Sequence, residues 1–325
     1  MCYIVAMSFY RAQSTILLAD FVQPHHRSKA NSIINMMNAL SIVVAAVISL
    51  FLIDIPGIGL QIAFITVSIL MIISLIVLIL TVNENEAYAY RLIIQKEEQA
   101  GEKIKEKKEK VSLSGSFKEV MAEKDKSTII MLFVIFFMSV GWAALNTLLS
   151  SYGVNHLHLS RGQAGGLIIY GAITFLISAY PLAILAEKYG RRLLIKIGLS
   201  IFTSCLIIAF FYQNVIFLSI MIALIGIGYA CVIVNTVVII WELSPSEKSI
   251  GTYTGLYYVF FFSAEIFGPG LVGLMTDFTG WNYFLLNGAL FMLISLILIF
   301  FVKRETAELT EEEKLAKQKA IQELK

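Results

Sequence analysis

Two ionisable side chains, Arg11 and Glu265, fall deep inside apolar runs of this sequence. A charge at that depth in hydrocarbon costs several kcal/mol, so each needs a partner or a water-filled cavity. Glu265 stands fifteen residues into the run that opens at Ile250. A carboxyl where water is scarce can gain and lose a proton as a solute arrives and leaves, which makes Glu265 the candidate proton carrier. A protonated Glu265 hydrogen-bonded within a packed helix interface is the structural alternative. Gly268-Pro269-Gly270, one turn on, is expected to weaken or bend the helix and expose backbone groups, because Pro lacks a donor and Gly has low helical preference. Arg11 precedes Asp20 by nine residues, roughly 13 Å along a helix rising about 1.5 Å per residue. Its planar donors suit hydroxyls or an opposing carboxylate, with a bridge to Asp20 or to backbone carbonyls as the alternative.

Neutral polar residues punctuate the same kind of runs: Asn35, Asn38, Tyr170, Thr174, Asn235, Tyr257 and Tyr258. Donors and acceptors beside aromatic faces could contact a polar solute, while helix packing accounts equally well for any one of them. His156 and His158 alternate in a loop but are too few to hold zinc, so no metal site is expected. Cys2, Cys205 and Cys231 lack metal or redox spacing and read as small packing residues. There is no Gly-x-x-x-x-Gly-Lys loop and no His-Glu-x-x-His motif, so neither an enzyme nor a cofactor is expected.

The elements that must position these groups are membrane helices. With 58% hydrophobic and 15% charged residues in 325, too little polar surface is left for a water-soluble globule. Nine apolar runs, at 1–20, 30–53, 59–82, 128–150, 163–186, 193–212, 215–240, 250–275 and 282–303, are each about the 20 residues needed to cross a core of roughly 30 Å. They lack the alternation of a membrane barrel, so the fold class is all-α. Of the 25 Lys and Arg, 23 fall at one set of run ends, with Arg161 alone in a loop at the other and Arg11 inside a run. Basic residues mark the cytoplasmic side. The tail 304–325 is therefore expected in the cytoplasm, and nine crossings put Met1 outside. The segment 83–127 carries ten bases and ten acids and reads as a solvated linker. Its lysines would meet anionic lipid against the opposition of the interleaved glutamates. A net charge of +2 gives no reason to expect nucleic acid.

An internal repeat adds to this. Asp20, Pro24, Arg27, Ser28 and Ala30 recur in kind as Glu242, Pro245, Lys248, Ser249 and Gly251, with the same spacing from the proline onward. The interval places the counterpart of the helix at 128 well ahead of Met1. The expectation is a truncated reading frame: helices four to six of one half over 1–82, the linker, and helices seven to twelve of the other half over 128–303. Between two runs, Ala183, Glu187, Lys188, Gly190, Arg191 and Arg192 form a tight basic turn. This pattern resembles the loop signature of the major facilitator superfamily, with Ala183 where Gly is usual. The acid and bases can bridge to a neighbouring helix end and close the cytoplasmic side, and Glu187 is expected to face the helix that opens near Ala30. Asp20, Arg27, Glu242 and Lys248 join them as the expected cytoplasmic gate. Enforcing topology alone is the plainer account of these charges.

Within that superfamily the chain resembles the sucrose-transporter-like branch, related to the glycoside-pentoside-hexuronide cation symporters. Tyr10-Arg11-Ala12, Leu18 to Asp20 and Arg27 to Asn31 carry the likeness, as do Ile250 to Tyr258, Gly268 to Gly270 and Asp277 to Gly280. The resemblance implies a proton-coupled carrier of a disaccharide or glycoside that alternately exposes a central cavity. Asn146, where an acid is common, and Glu265, where an amide is common, depart from it. An exporter, a carrier of another small solute, and an inactive or sensor-type derivative share the architecture.

Overall fold

The computed structural model describes residues 27–82, 120, 126–244 and 249–304, with side chains from Ile33 onward in the first stretch. Helices α1 Arg27–Ile48, α2 Gly59–Thr81 and α3 Ser127–Asn155 come first, α1 being prolonged by a π-helical turn, Ser49–Ile53. The short α4 Arg161–Gly166 precedes α5 Ile169–Tyr189, α6 Arg191–Phe211, α7 Val215–Leu243 and α8 Ile250–Thr279. A 3₁₀ turn, Trp281–Tyr283, leads into α9 Phe284–Phe301. No strand occurs among the described residues, and eight helical segments, counting α4 with α5 as one, are long and apolar enough to cross a membrane. These match eight of the nine expected runs. The run at 1–20, the tail beyond Arg304 and nearly all of the linker lie outside the described residues.

The run expected at 163–186 is in fact two helices that part at Leu167 and Ile168. Ser160 starts the first of them: its hydroxyl accepts from the Gln163 N–H while the Gln163 side chain accepts from the Ser160 N–H. Two backbone donors at the helix start are thereby satisfied. The second correction concerns α8, which stays helical through Gly268-Pro269-Gly270. No local break forms there. A Cβ on Gly268 would stand 2.9 Å from both Cα and O of Val140, so this glycine serves the close approach of α8 to the α3 backbone.

Bilayer helices gain nothing from leaving one apolar medium for another, so packing and interhelical hydrogen bonds must hold them, at about 0.6 kcal/mol per bond on average. Helix α7 is the most buried, set against α5 and α6. The Thr174 hydroxyl donates to the Ala223 carbonyl at 2.6 Å, tying α5 to α7, and Ser295 donates to the Val134 carbonyl at 2.8 Å, tying α9 to α3. Helix α2 has the opposite character. Phe64, Ile79 and Leu80 are exposed along it, with Leu80 at 78%. Such a surface suits a lipid environment.

Candidate functional site

A cavity of about 230 Å³ lies among α1, α3, α5, α7 and α8. Its α1 wall, Ile34 to Ile42, and its α8 wall, Tyr257 to Glu265, each begin seven residues from their helix starts. At about 1.5 Å per residue that is roughly 10 to 22 Å deep, the middle of a membrane about 30 Å thick. Five expected residues line it: Asn35, Asn38, Tyr257, Tyr258 and Glu265. Helical spacing explains the α8 group, since residues four apart share a face. Tyr257, Phe261 and Glu265 form one such row, with the Tyr257 and Phe261 rings stacked at 6.0 Å. Tyr258 and Phe262 form a second, stacked at 5.4 Å. The Tyr257 hydroxyl stands 3.5 Å from Thr236 Oγ1. Glu265 is half-buried at the end of its row.

Other expected contacts are placed elsewhere. Asn235 is fully buried behind the wall, donating to the Cys231 carbonyl at 2.8 Å and accepting from Arg191 Nη1 at 3.4 Å. Thr174 is spent on the Ala223 carbonyl. Tyr170 is 47% exposed and does not line the cavity. In this structure these three hold packing or surface positions. Arg11 and Asp20 lie outside the described residues, as do Lys248 and the Arg27 side chain. Sequence reasoning passed over Trp142, Tyr229 and Ser41, which do line it. Asn146, noted above as a departure from the resemblance, is a further lining residue. Trp142 and Tyr229 are stacked with centroids 3.8 Å apart and planes 11° from parallel. The available signal was Trp142 standing four residues before Asn146, hence on its face of α3.

At the helix ends that carry the basic loops, Gly190 separates α5 from α6 with φ +97°, a conformation glycine adopts without steric cost. Arg191 Nε donates to Glu242 Oε1 at 3.1 Å, the one salt bridge among the described residues. Arg192 Nη2 donates to the Phe300 carbonyl at 3.1 Å, near the C-terminus of α9, where a cation suits the helix dipole. Lys188 lies over the Tyr189 ring. Glu187 is exposed and makes no hydrogen bond or ion pair among the described residues. The side chains at the start of α1, which Glu187 is expected to face, lie outside the described residues; among the described residues the basic turn staples α6 to the ends of α7 and α9.

At the opposite end, α1 meets α4. Asp54 accepts from the Ser160 hydroxyl at 2.5 Å and from the Gly162 N–H at 2.9 Å, while Ser49 donates to the Gly162 carbonyl at 3.4 Å. The Ser160 bond, then the Gly162 bond, hold the Asp54 carboxyl below the usual range, with burial opposing them. Any side chain at Gly165 or Gly166 would run into Ser49 or Leu50. The sequence reading did not include this contact. No metal-ligating cluster occurs among the described residues.

A family model described as Major Facilitator Superfamily matches residues 3–119 and 131–325 of this chain. Comparison with curated proteins gives no match.

Proposed function

Since the chain belongs to the Major Facilitator Superfamily and is a secondary transporter of small solutes, we propose that it carries a sugar together with a proton by alternately exposing its central cavity. One observation carries the reading. Among the described residues, Glu265 is the sole carboxyl lining a cavity whose other polar groups include the amides of Asn35, Asn38 and Asn146 and the phenols of Tyr257 and Tyr258. Amides and phenols supply the mixed donors and acceptors that adjacent hydroxyls need, and a membrane-buried carboxyl is the group that relays protons. The resemblance to the sucrose-transporter-like branch supports a disaccharide or glycoside.

In this reading α1 and α2 belong to one six-helix half and α3 to α9 to the other, with the cavity between them. The basic loops and the tail face the cytoplasm of a cell-membrane protein. Asp54 and α4 then close the outer end, and the basic turn with Glu242 shapes the cytoplasmic end. The test is uptake by the full chain in proteoliposomes under an imposed pH gradient, with a panel of mono- and disaccharides. Glu265→Gln is expected to abolish uphill uptake and retain sugar exchange. Unchanged uphill uptake removes Glu265 from the proton path, and a panel without any gradient-driven uptake removes the sugar reading.

A further inference from the structure

The cavity brings an aromatic pair that the sequence did not single out, Trp142 and Tyr229, beside amides that it did. Trp142 and Asn146 are one turn apart on α3 and both line it, so their Cβ atoms stand about 5 to 6 Å apart. The Trp142 ring is fixed from behind: Tyr229 stacks on it at 3.8 Å and Phe202 meets it edge-on at 6.2 Å. Tyr229 is itself used up, 8% exposed and packed against Phe175 and Phe202. Trp142 is only half-buried, and no second ring stacks on it among the described residues.

The hydrogen-bond inventory points the same way. The Trp142 indole N–H and the side-chain amides of Asn38 and Asn146 have no hydrogen-bond partner among the described residues, although all three line the cavity. By contrast, the Trp241 indole donates to Thr254 at 2.8 Å. Polar groups at mid-membrane depth without protein partners are satisfied by water or by a solute. An aromatic face bordered by an indole donor and an amide matches a sugar ring, which has an apolar C–H face and hydroxyls around its edge.

Resting on the sugar reading above, we propose that Trp142 is the stacking platform of the cavity and Asn146 its neighbouring hydroxyl contact, so that the carrier selects ring sugars over open-chain polyols with as many hydroxyls. Tyr229 acts through Trp142 as a positioning residue.

The experiment uses the full chain in lipid nanodiscs with Trp241→Phe and Trp281→Phe, which leaves Trp142 as the sole tryptophan of the three. Pyranosides, disaccharides and hexitols are titrated by calorimetry and by tryptophan emission. A ring sugar is expected to shift the Trp142 emission and to bind at least several-fold more tightly than any hexitol. Trp142→Ala should weaken ring-sugar binding about tenfold, the effect of losing a stacking contact of roughly 1.4 kcal/mol, whereas Trp142→Tyr should stay within about threefold. Sugar binding by calorimetry with no change in Trp142 emission overturns the platform and leaves the sugar reading standing; equal affinity for hexitols does the same. No binding by any ring sugar overturns both. The emission readout decides the matter even where Trp142→Ala does not fold.

Discussion

Replacing Glu242 by Gln should destabilise the protein, and replacing Glu187 by Gln should not, although both acids belong to the motifs that stand out in the sequence. Arg191 is 9% exposed and has two acceptors, Glu242 at 3.1 Å and Asn235 at 3.4 Å. At such a distance the gross attraction is about 5 kcal/mol at an effective dielectric of about 20, most of it offset by the desolvation of both ions. Exposed pairs net roughly 0.2 to 1 kcal/mol, whereas removing one partner of a fully buried pair costs about 3 to 5 kcal/mol. With side-chain exposures of 10% for Arg191 and 36% for Glu242, this pair falls between those limits, at about 1 to 2 kcal/mol. The assay is a double-mutant cycle of Arg191→Gln and Glu242→Gln, read as unfolding free energies in one fixed detergent. Glu187→Gln should stay within about 0.5 kcal/mol of the unsubstituted chain. A coupling energy under about 0.5 kcal/mol, or a Glu187→Gln variant as damaged as Glu242→Gln, would refute the stapling role and return the function of the turn to Glu187.

Two more outcomes follow from contacts at atomic spacing. Gly268→Ala should cost about 1 to 3 kcal/mol as an overpacked site, because its Cβ would meet main-chain atoms of Val140 that no rotamer change can move. Gly270→Ala, with nothing within 4 Å of its Cβ, should be neutral or stabilising by up to about 1 kcal/mol through helix propensity; melting temperatures of the two variants check the contrast. For Asp54, hydrogen bonds to the charged form lower its pKa from 3.8 while α1 and α4 are joined. The carboxylate thus holds the contact fully at pH values above 3.8 and loses that hold as pH falls through the lowered value. The distance between probes attached beforehand at Ile55→Cys and His158→Cys should be flat between about pH 5 and 8 and lengthen only below the ordinary carboxylate range of about 4, while Asp54→Asn should lengthen it already at neutral pH.

The helices were legible because a bilayer imposes length and apolarity on every crossing, which left their ends uncertain by only a few residues. The early helix start ahead of the run at 163–186 left a signal that the reading of one continuous run passed over. Ser160 and Gln163 have capping-box spacing, and Arg161 to Gly166 contains three glycines, but an apolar run masks a start signal lying just before it. In the cavity, Asn35, Asn38 and Glu265 stood out because amides and acids are conspicuous among Leu and Ile. Trp142 and Tyr229 did not, since an aromatic ring in a membrane helix looks the same from sequence whether it faces lipid, protein or a cavity. Thr174 and Asn235 show the converse. Each is polar at the right depth, yet one is bonded to a carbonyl and the other to Arg191, and helix rotation, which sets these partners, is fixed by neighbours remote in sequence. The continuity of α8 through Pro269 belongs to the same class: local preference argued for a break, and close packing on α3 holds the helix together.

The two ends of the helix bundle carry contacts of different kinds, and the difference bears on how the proposed carrier would move. The basic turn joins α6 to α7 and α9, all within α3 to α9, so a rigid rotation of that group against α1 leaves the Arg191–Glu242 pair intact. The Asp54 contact instead spans 106 residues to Ser160 and 108 to Gly162, crossing from the end of α1 to α4. Rotation must break it. It is made of hydrogen bonds at an exposed edge and of backbones brought close by glycine, both of which can part without opening an apolar core. The Glu242 substitution should therefore act on stability while leaving the balance of open and closed forms unchanged. The Asp54 substitution should act on that balance with little effect on unfolding. Rocking of one half over the other requires this separation of effects, and a single variant that moved both quantities equally at either end would contradict it.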